Sequence, residues 1–317
     1  MKYLCSLFLI AACCAPALAV DAPVFTIDSV LRGLASTHPQ ATRVTDELPA
    51  GILAREDIVY LERGETRLGL DLYRPADSAQ LPAVLIIHGG GWIAGDRRME
   101  RPFARHLAAR GYVAVPVSYR LGMAGRFPAP VDDLRAAVRW LRRHAADYGI
   151  DPQHIGVLGG SAGGTLATML GTTNGQEAMA GAPAPGVPSG DVQAVVNIDG
   201  TVTFMDNRLI EMSETQPSPY WEYVHGPYDA NRAVWLAASP LYYVTRQSAP
   251  TLFIKSTATM PVLAGRKEVA ARLRLLGVDA AEVQFAGTPH PFWLVHPWFE
   301  QTIEASDKFL RRHLKHP

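Results

Sequence analysis

Residues 155–170 read IGVLGGSAGGTLATML: a short apolar run, a serine set among glycines, then small residues and good helix formers. The apolar run has the length of a buried strand, and the stretch after Ala162 has the composition of a helix. At their junction Gly159-Gly160-Ser161-Ala162-Gly163 spells G-x-S-x-G, the signature of a sharp strand-to-helix turn that carries a nucleophile. Such a turn leaves no room for a side chain at Gly159 or Gly163 and lifts the Ser161 hydroxyl above the sheet edge. The pattern alone recurs by chance, so its meaning rests on the chain around it.

Outward from the serine, continuous apolar runs recur at Ala83–Ile87, Val113–Val117, Val192–Ile198, Thr251–Ile254 and Glu282–Phe285. Helical stretches lie between them. In Val131–Leu141 the residues Val131, Leu134, Ala137, Val138 and Leu141 share one face, and residues 297–314 close the chain as another amphipathic helix. Buried strands alternating with helices predict an α/β fold, a mostly parallel sheet with helices on both faces. Asp57–Leu61 and Arg67–Tyr73, joined by the turn Glu62-Arg63-Gly64-Glu65, are expected to add an antiparallel pair at one edge. Residues 174–190, rich in Gly and Pro, read as a loop. Residues 203–248 hold Tyr220, Trp221, Tyr223, Tyr228 and Trp235 and are too long for a connection, so they read as a cap or lid insertion.

The 317 residues carry a formal net charge of zero, which suits one large domain, expected over 55–317 behind an N-terminal arm at 20–54. Neutrality gives no electrostatic case for binding nucleic acid. Residues 1–19 read as a signal peptide: Met1-Lys2, an apolar stretch from Tyr3 to Ala15, then the small-residue site Ala17-Leu18-Ala19. That stretch is too short to span a membrane, so the expected destination is the periplasm or the medium. Cys5, Cys13 and Cys14 are the three cysteines, all within this segment, so the mature chain would have no disulfide, cysteine nucleophile or cysteine metal site. Ile10-Ala11-Ala12-Cys13 also reads as a lipobox, which would instead leave a lipid anchor at Cys13. Nothing in the sequence sets an oligomeric state.

In a parallel sheet, function sits at the carboxyl ends of the strands. Ala83–Ile87 is followed there by His88-Gly89-Gly90-Gly91-Trp92, whose glycines let backbone N–H groups approach a ligand. Read with the serine turn, it is an oxyanion loop, with the N–H groups of Gly90, Gly91 and Ala162 as donors. His88 is expected to orient this loop. The base is expected at His290, in Gly287-Thr288-Pro289-His290-Pro291-Phe292-Trp293, just past the last strand; His296 is expected to pack at a helix start.

The HGGGW loop, the GGSAG turn and the PHPFW histidine, in this order, resemble the α/β-hydrolase esterases. Most similar are the hormone-sensitive-lipase-like and the bacterial feruloyl/acetyl-xylan-esterase-like branches. The resemblance covers roughly residues 55–315. It implies ester hydrolysis through an acyl-serine, with no metal or cofactor.

One part of that pattern is missing. The resemblance implies an aspartate after the seventh strand, yet Phe253–Pro261 reads FIKSTATMP, with no carboxylate. Asp199, ending the run Val195-Val196-Asn197-Ile198, is the expected substitute, and Glu268 is the alternative. The bland reading of Asp199 is an Asx turn, and that of Glu268 is ordinary complementation of a helix dipole. The lid aromatics, with Trp92, Phe292 and Trp293, either stack on a sugar or aromatic acyl group or fill the core. Acyl esters of plant polysaccharide or other small esters are the expected substrates. An amide-cleaving enzyme and a catalytically silent binding protein are the other readings.

Overall fold

The computed structural model describes residues 25–77, 80–176, 186–215, 218–257 and 265–315. The expected signal segment 1–19 with its cysteines, and residues 177–185 of the expected loop, lie outside the described residues.

An eight-stranded sheet forms the centre, in the order β2-β3-β5-β4-β6-β7-β8-β9. Its strands are β2 (Ile52–Arg63), β3 (Thr66–Pro75), β4 (Leu81–Ile87), β5 (Val113–Val117), β6 (Ile150–Gly160), β7 (Ala194–Ile198), β8 (Thr251–Lys255) and β9 (Ala280–Gln284). β2 and β3 pair antiparallel, β3 joins β5 antiparallel, and every later pairing is parallel. The sheet begins at Ile52 rather than 55, because Ile52, Leu53 and Ala54 extend the hairpin ladder opposite Pro75, Arg74 and Tyr73.

The central strands β4, β5, β7 and β8 bury both faces, which is why they read as apolar runs. Val84 and Ile86 of β4 join one core layer with α2 (Arg101–Ala108) and α10 (Phe299–Leu314). Ala83, Leu85 and Ile87 join the opposite layer with α3 (Ala129–Arg143) and α5 (Ala162–Thr172). Every residue of α5 is buried, so this helix lacks a polar face and is wrapped by its neighbours. This two-faced parallel sheet is the α/β-hydrolase architecture.

The arm ahead of the sheet is structured. α1 (Ile27–Leu34) starts with a capping box between Thr26 and Ser29 and buries Val30 and Leu34. β1 (Thr42–Arg43) then pairs with β10 (Val295–His296), Thr42 opposite His296 and Arg43 opposite Val295.

The insertion contains α6 (Asn207–Thr215), α7 (Pro219–Tyr223) and α8 (Tyr228–Ala237) and ends in a 3-10 turn at Pro240–Tyr243. Leu241 N–H donates to Val202 O at 2.9 Å, so the insertion returns beside the point where it left. No helix among the described residues is long and apolar enough to cross a membrane.

Candidate active site

Ser161 lies between β6 and α5 with φ 53° and ψ −121°, a conformation costly for a side chain and held by its surroundings. A Cβ on Gly159 would stand 2.3 Å from Gly163 O, and one on Gly163 would stand 2.1 Å from Ile87 O. The strand, the helix and β4 therefore touch backbone to backbone at this turn. Of the five described non-glycine residues with positive φ, Trp92, Ser161 and Asp199 belong to one site, and local strain concentrates where function needs it.

His290 follows β9 and meets Ser161, its Nε2 lying 2.9 Å from Ser161 Oγ. Its Nδ1 lies 3.1 Å from Asp199 Oδ2. An ionised carboxylate only accepts, which assigns the proton to Nδ1 and leaves Nε2 to accept from the serine hydroxyl. Asp199 is buried, whereas Ser161 and His290 are partly exposed. Burial alone would raise the Asp199 carboxyl, but hydrogen bonds from His290 and Ser256 hold it below its ordinary value. It is ionised at neutral pH.

Glu268 stands exposed in the first turn of α9 (Arg266–Leu275), and the hydrogen bonds of His290 run to Asp199 and Ser161. Of the two candidate acids, the structure brings Asp199 to the histidine.

The route of Asp199 into the site depends on Asn197, which sequence reasoning passed over. Its Nδ2 donates to Gly164 O at 3.0 Å and to Thr168 Oγ1 at 2.7 Å, and its Oδ1 accepts from Gly200 N–H at 2.7 Å. These bonds fasten the end of β7 to the start of α5. Gly200 completes the contact, since a Cβ there would stand 2.5 Å from both Gly164 C and Thr165 N. A signal existed: an asparagine inside a wholly buried Val-Val-Asn-Ile strand needs partners.

The loop after β4 lies against the turn, and a Cβ built on Gly89 would be 3.3 Å from Ser161 Cβ. No acceptor among the described residues takes the N–H of Gly90, Gly91 or Ala162. His88 is buried, stacks on Tyr119 with ring centroids 4.4 Å apart, and meets Gly89 O through Nδ1 at 2.7 Å. Burial pulls its imidazole down to about 4, so it stays neutral and anchors the loop.

Most of the aromatic residues are taken up by the core. Trp92 stacks on Tyr223 at 4.5 Å and packs near Phe204, and Trp92, Tyr223, Phe204 and Trp235 are all buried. Phe292 and Trp293 are buried as well, with Trp293 meeting the His290 ring edge-on at 5.2 Å. These six fill the core. Tyr220 and Trp221 remain half-buried on the insertion.

Glu100, also missed in the sequence, is buried near Trp293, and neither carboxyl oxygen has a hydrogen-bond partner. Burial pushes this carboxyl up to about 8, offset only in part by the nearness of Trp293.

With this geometry in hand, comparison with known proteins is direct. The BD-FAE family model matches residues 70–266, well over half of the chain. The chain belongs to the BD-FAE family. This BD-FAE chain is 29% identical over 249 residues to the probable carboxylic ester hydrolase LipM of Mycobacterium tuberculosis, covering 75% of the chain and 56% of LipM. It spans a little over half the length of the first curated mycobacterial relatives it matches.

Among solved structures, a truncated carbohydrate esterase from gut microbiota superposes with a TM-score of 0.70. It is 21% identical and covers 85% of this chain and 99% of its own, a likeness that speaks to the fold. A thermophilic esterase from Thermogutta terrifontis with propionate bound superposes with a TM-score of 0.65 at 26% identity, covering 83% and 94% of the two chains. That esterase is also known with butyrate bound and phosphorylated by paraoxon.

Proposed function

We propose that this protein is an exported serine ester hydrolase that works through an acyl-serine intermediate. The observation that carries the reading is the chain of contacts from Ser161 Oγ through His290 to Asp199, at 2.9 Å and 3.1 Å, with the free N–H donors of the Gly90–Gly91 loop beside it.

His290 Nε2 takes the proton of Ser161 Oγ as the oxygen attacks the ester carbonyl. The N–H groups of Gly90, Gly91 and Ala162 hold the oxyanion, a contribution of about 10² to 10³ in rate for one such donor. The C–O bond to the alcohol breaks as His290 returns the proton to the leaving oxygen. Water then gives a proton to His290 and attacks the acyl-serine, and Ser161 recovers its proton as the carboxylic acid departs. Asp199 stays ionised throughout, fixing the imidazole and stabilising its charged form.

The substrate class proposed is short acyl esters, including those on plant polysaccharide. The propionate and butyrate complexes of the Thermogutta relative support the short acyl group. The leader-like residues 1–19 support export, and N-terminal sequencing of protein from the periplasm or medium is expected to begin at Val20.

The deciding experiment is a burst of phenol from an aryl acetate together with stoichiometric labelling by paraoxon at Ser161. No burst and no label in the folded protein would overturn the reading. Release of acetate, ferulate or methanol from acetylated, feruloylated or methyl-esterified polysaccharides then defines the ester.

A further inference from the structure

Arg266 is the first residue of α9, where a cation opposes the helix dipole, yet its side chain is only 8% exposed. Something else holds it there. Its Nη1 donates to Asp199 Oδ1 at 2.9 Å, and Ser256 N–H donates to the same oxygen at 2.9 Å. Oδ2 is left to His290. The resemblance drawn from sequence places the acid on the segment after β8; here that side of the site brings a cation to an acid on β7.

We propose that Arg266 is a positioning residue for ester hydrolysis: it fixes the Asp199 carboxylate through Oδ1, and its charge offsets part of the field that this carboxylate places on His290. The proposal rests on the assignment of Ser161, His290 and Asp199 above. A buried carboxylate beside an imidazole favours the protonated ring, and a guanidinium on its far oxygen cancels part of that field. Removing the cation makes the ring easier to protonate, so the acid limb of kcat/KM moves upward.

The other charges around the site do not reproduce this effect. Lys255 on β8 is neutralised by Glu282 on β9 at 2.7 Å, and Arg274 of α9 is 3.5 Å from the same glutamate. Glu100, near Trp293, ionises at about 8, and burial keeps His88 neutral down to about 4.

The test is kcat and KM from about pH 5 to about pH 9 for the unmodified protein, Arg266→Lys, Arg266→Gln and Arg266→Leu. In both neutral variants the acid limb is expected to move up, because the uncompensated carboxylate favours the protonated ring. Their plateau kcat is expected to fall roughly ten- to a hundredfold through misplacement of the acid, with KM unchanged. Arg266→Lys is expected to keep the limb near its original position.

A uniform fall in activity with an unmoved limb would overturn the proposal and leave Arg266 a structural residue. Failure of both neutral variants to fold, with Arg266→Lys folded, would overturn it as well, by assigning the arginine to the fold. If the unmodified protein gives neither burst nor Ser161 label, the esterase reading itself fails; a labelled protein with an unmoved limb sinks only the role of Arg266.

Discussion

Replacing Glu100 with glutamine removes a buried acid whose oxygens have no hydrogen-bond partner, and the consequence depends on pH in a calculable way. In the folded protein Glu100 keeps its proton up to about 8, whereas the reference carboxyl releases it at 4.5. Below 4.5 both states hold the proton and the group is neutral in the balance. Between the two values only the folded state binds it, so stability falls as pH rises, and above 8 the loss is complete. At 1.36 kcal/mol per unit, the shift from 4.5 to about 8 corresponds to about 5 kcal/mol. Glu100→Gln is therefore expected to unfold at nearly the parental urea concentration at pH 5 and at a distinctly higher one at pH 9. Comparing the two proteins at each pH cancels every other titrating group. An equal change in midpoint at both pH values, or destabilisation that grows with pH, would refute the reasoning.

Other consequences are as direct. Asp199→Asn is expected to lower kcat by about 10⁴-fold by leaving the imidazole in the wrong tautomer, whereas Glu268→Gln should leave kcat unchanged; steady-state kinetics on an aryl acetate separates them. Asn197→Leu deletes three buried hydrogen bonds and should cost about 2–4 kcal/mol in urea unfolding, with a parallel loss of kcat as the end of β7 drifts from α5. Gly200→Ala sets a methyl group against the α5 backbone and should depress kcat roughly 10²-fold with little change in secondary structure by circular dichroism.

The parts of this protein legible in the sequence are those where one local rule operates. β4, β6 and β7 are continuous apolar runs because both sheet faces are covered, and the serine turn follows from glycines at fixed offsets. Asp199 was legible as a carboxylate closing such a run. Asn197, Arg266 and Glu100 were not, because what each does depends on an element far away in the chain: α5, β7 and the loop bearing Trp293. Two of them left traces all the same, an asparagine in an apolar strand and an arginine in a helix's first turn. The cap aromatics show the opposite limit. Composition marks them as an aromatic group, but only packing reveals that Tyr223 and Trp235 are spent on the core while Tyr220 stays half-buried.

The two-residue ladder between Thr42–Arg43 and Val295–His296 joins the N-terminal arm to the segment just after the His290 loop. A chain emerging from the ribosome makes one of these strands early and the other near the end of synthesis. Until the later strand arrives, β1 has no partner in the sheets, and the histidine loop has no outer brace. Catalytic competence is thereby tied to completion of the chain: a product truncated before residue 290 lacks the base altogether, and one trimmed through residue 43 leaves the base's loop open on its outer side. Shortened versions of this protein should accordingly begin before Thr26, so that α1 and the ladder strand come together with the domain they close.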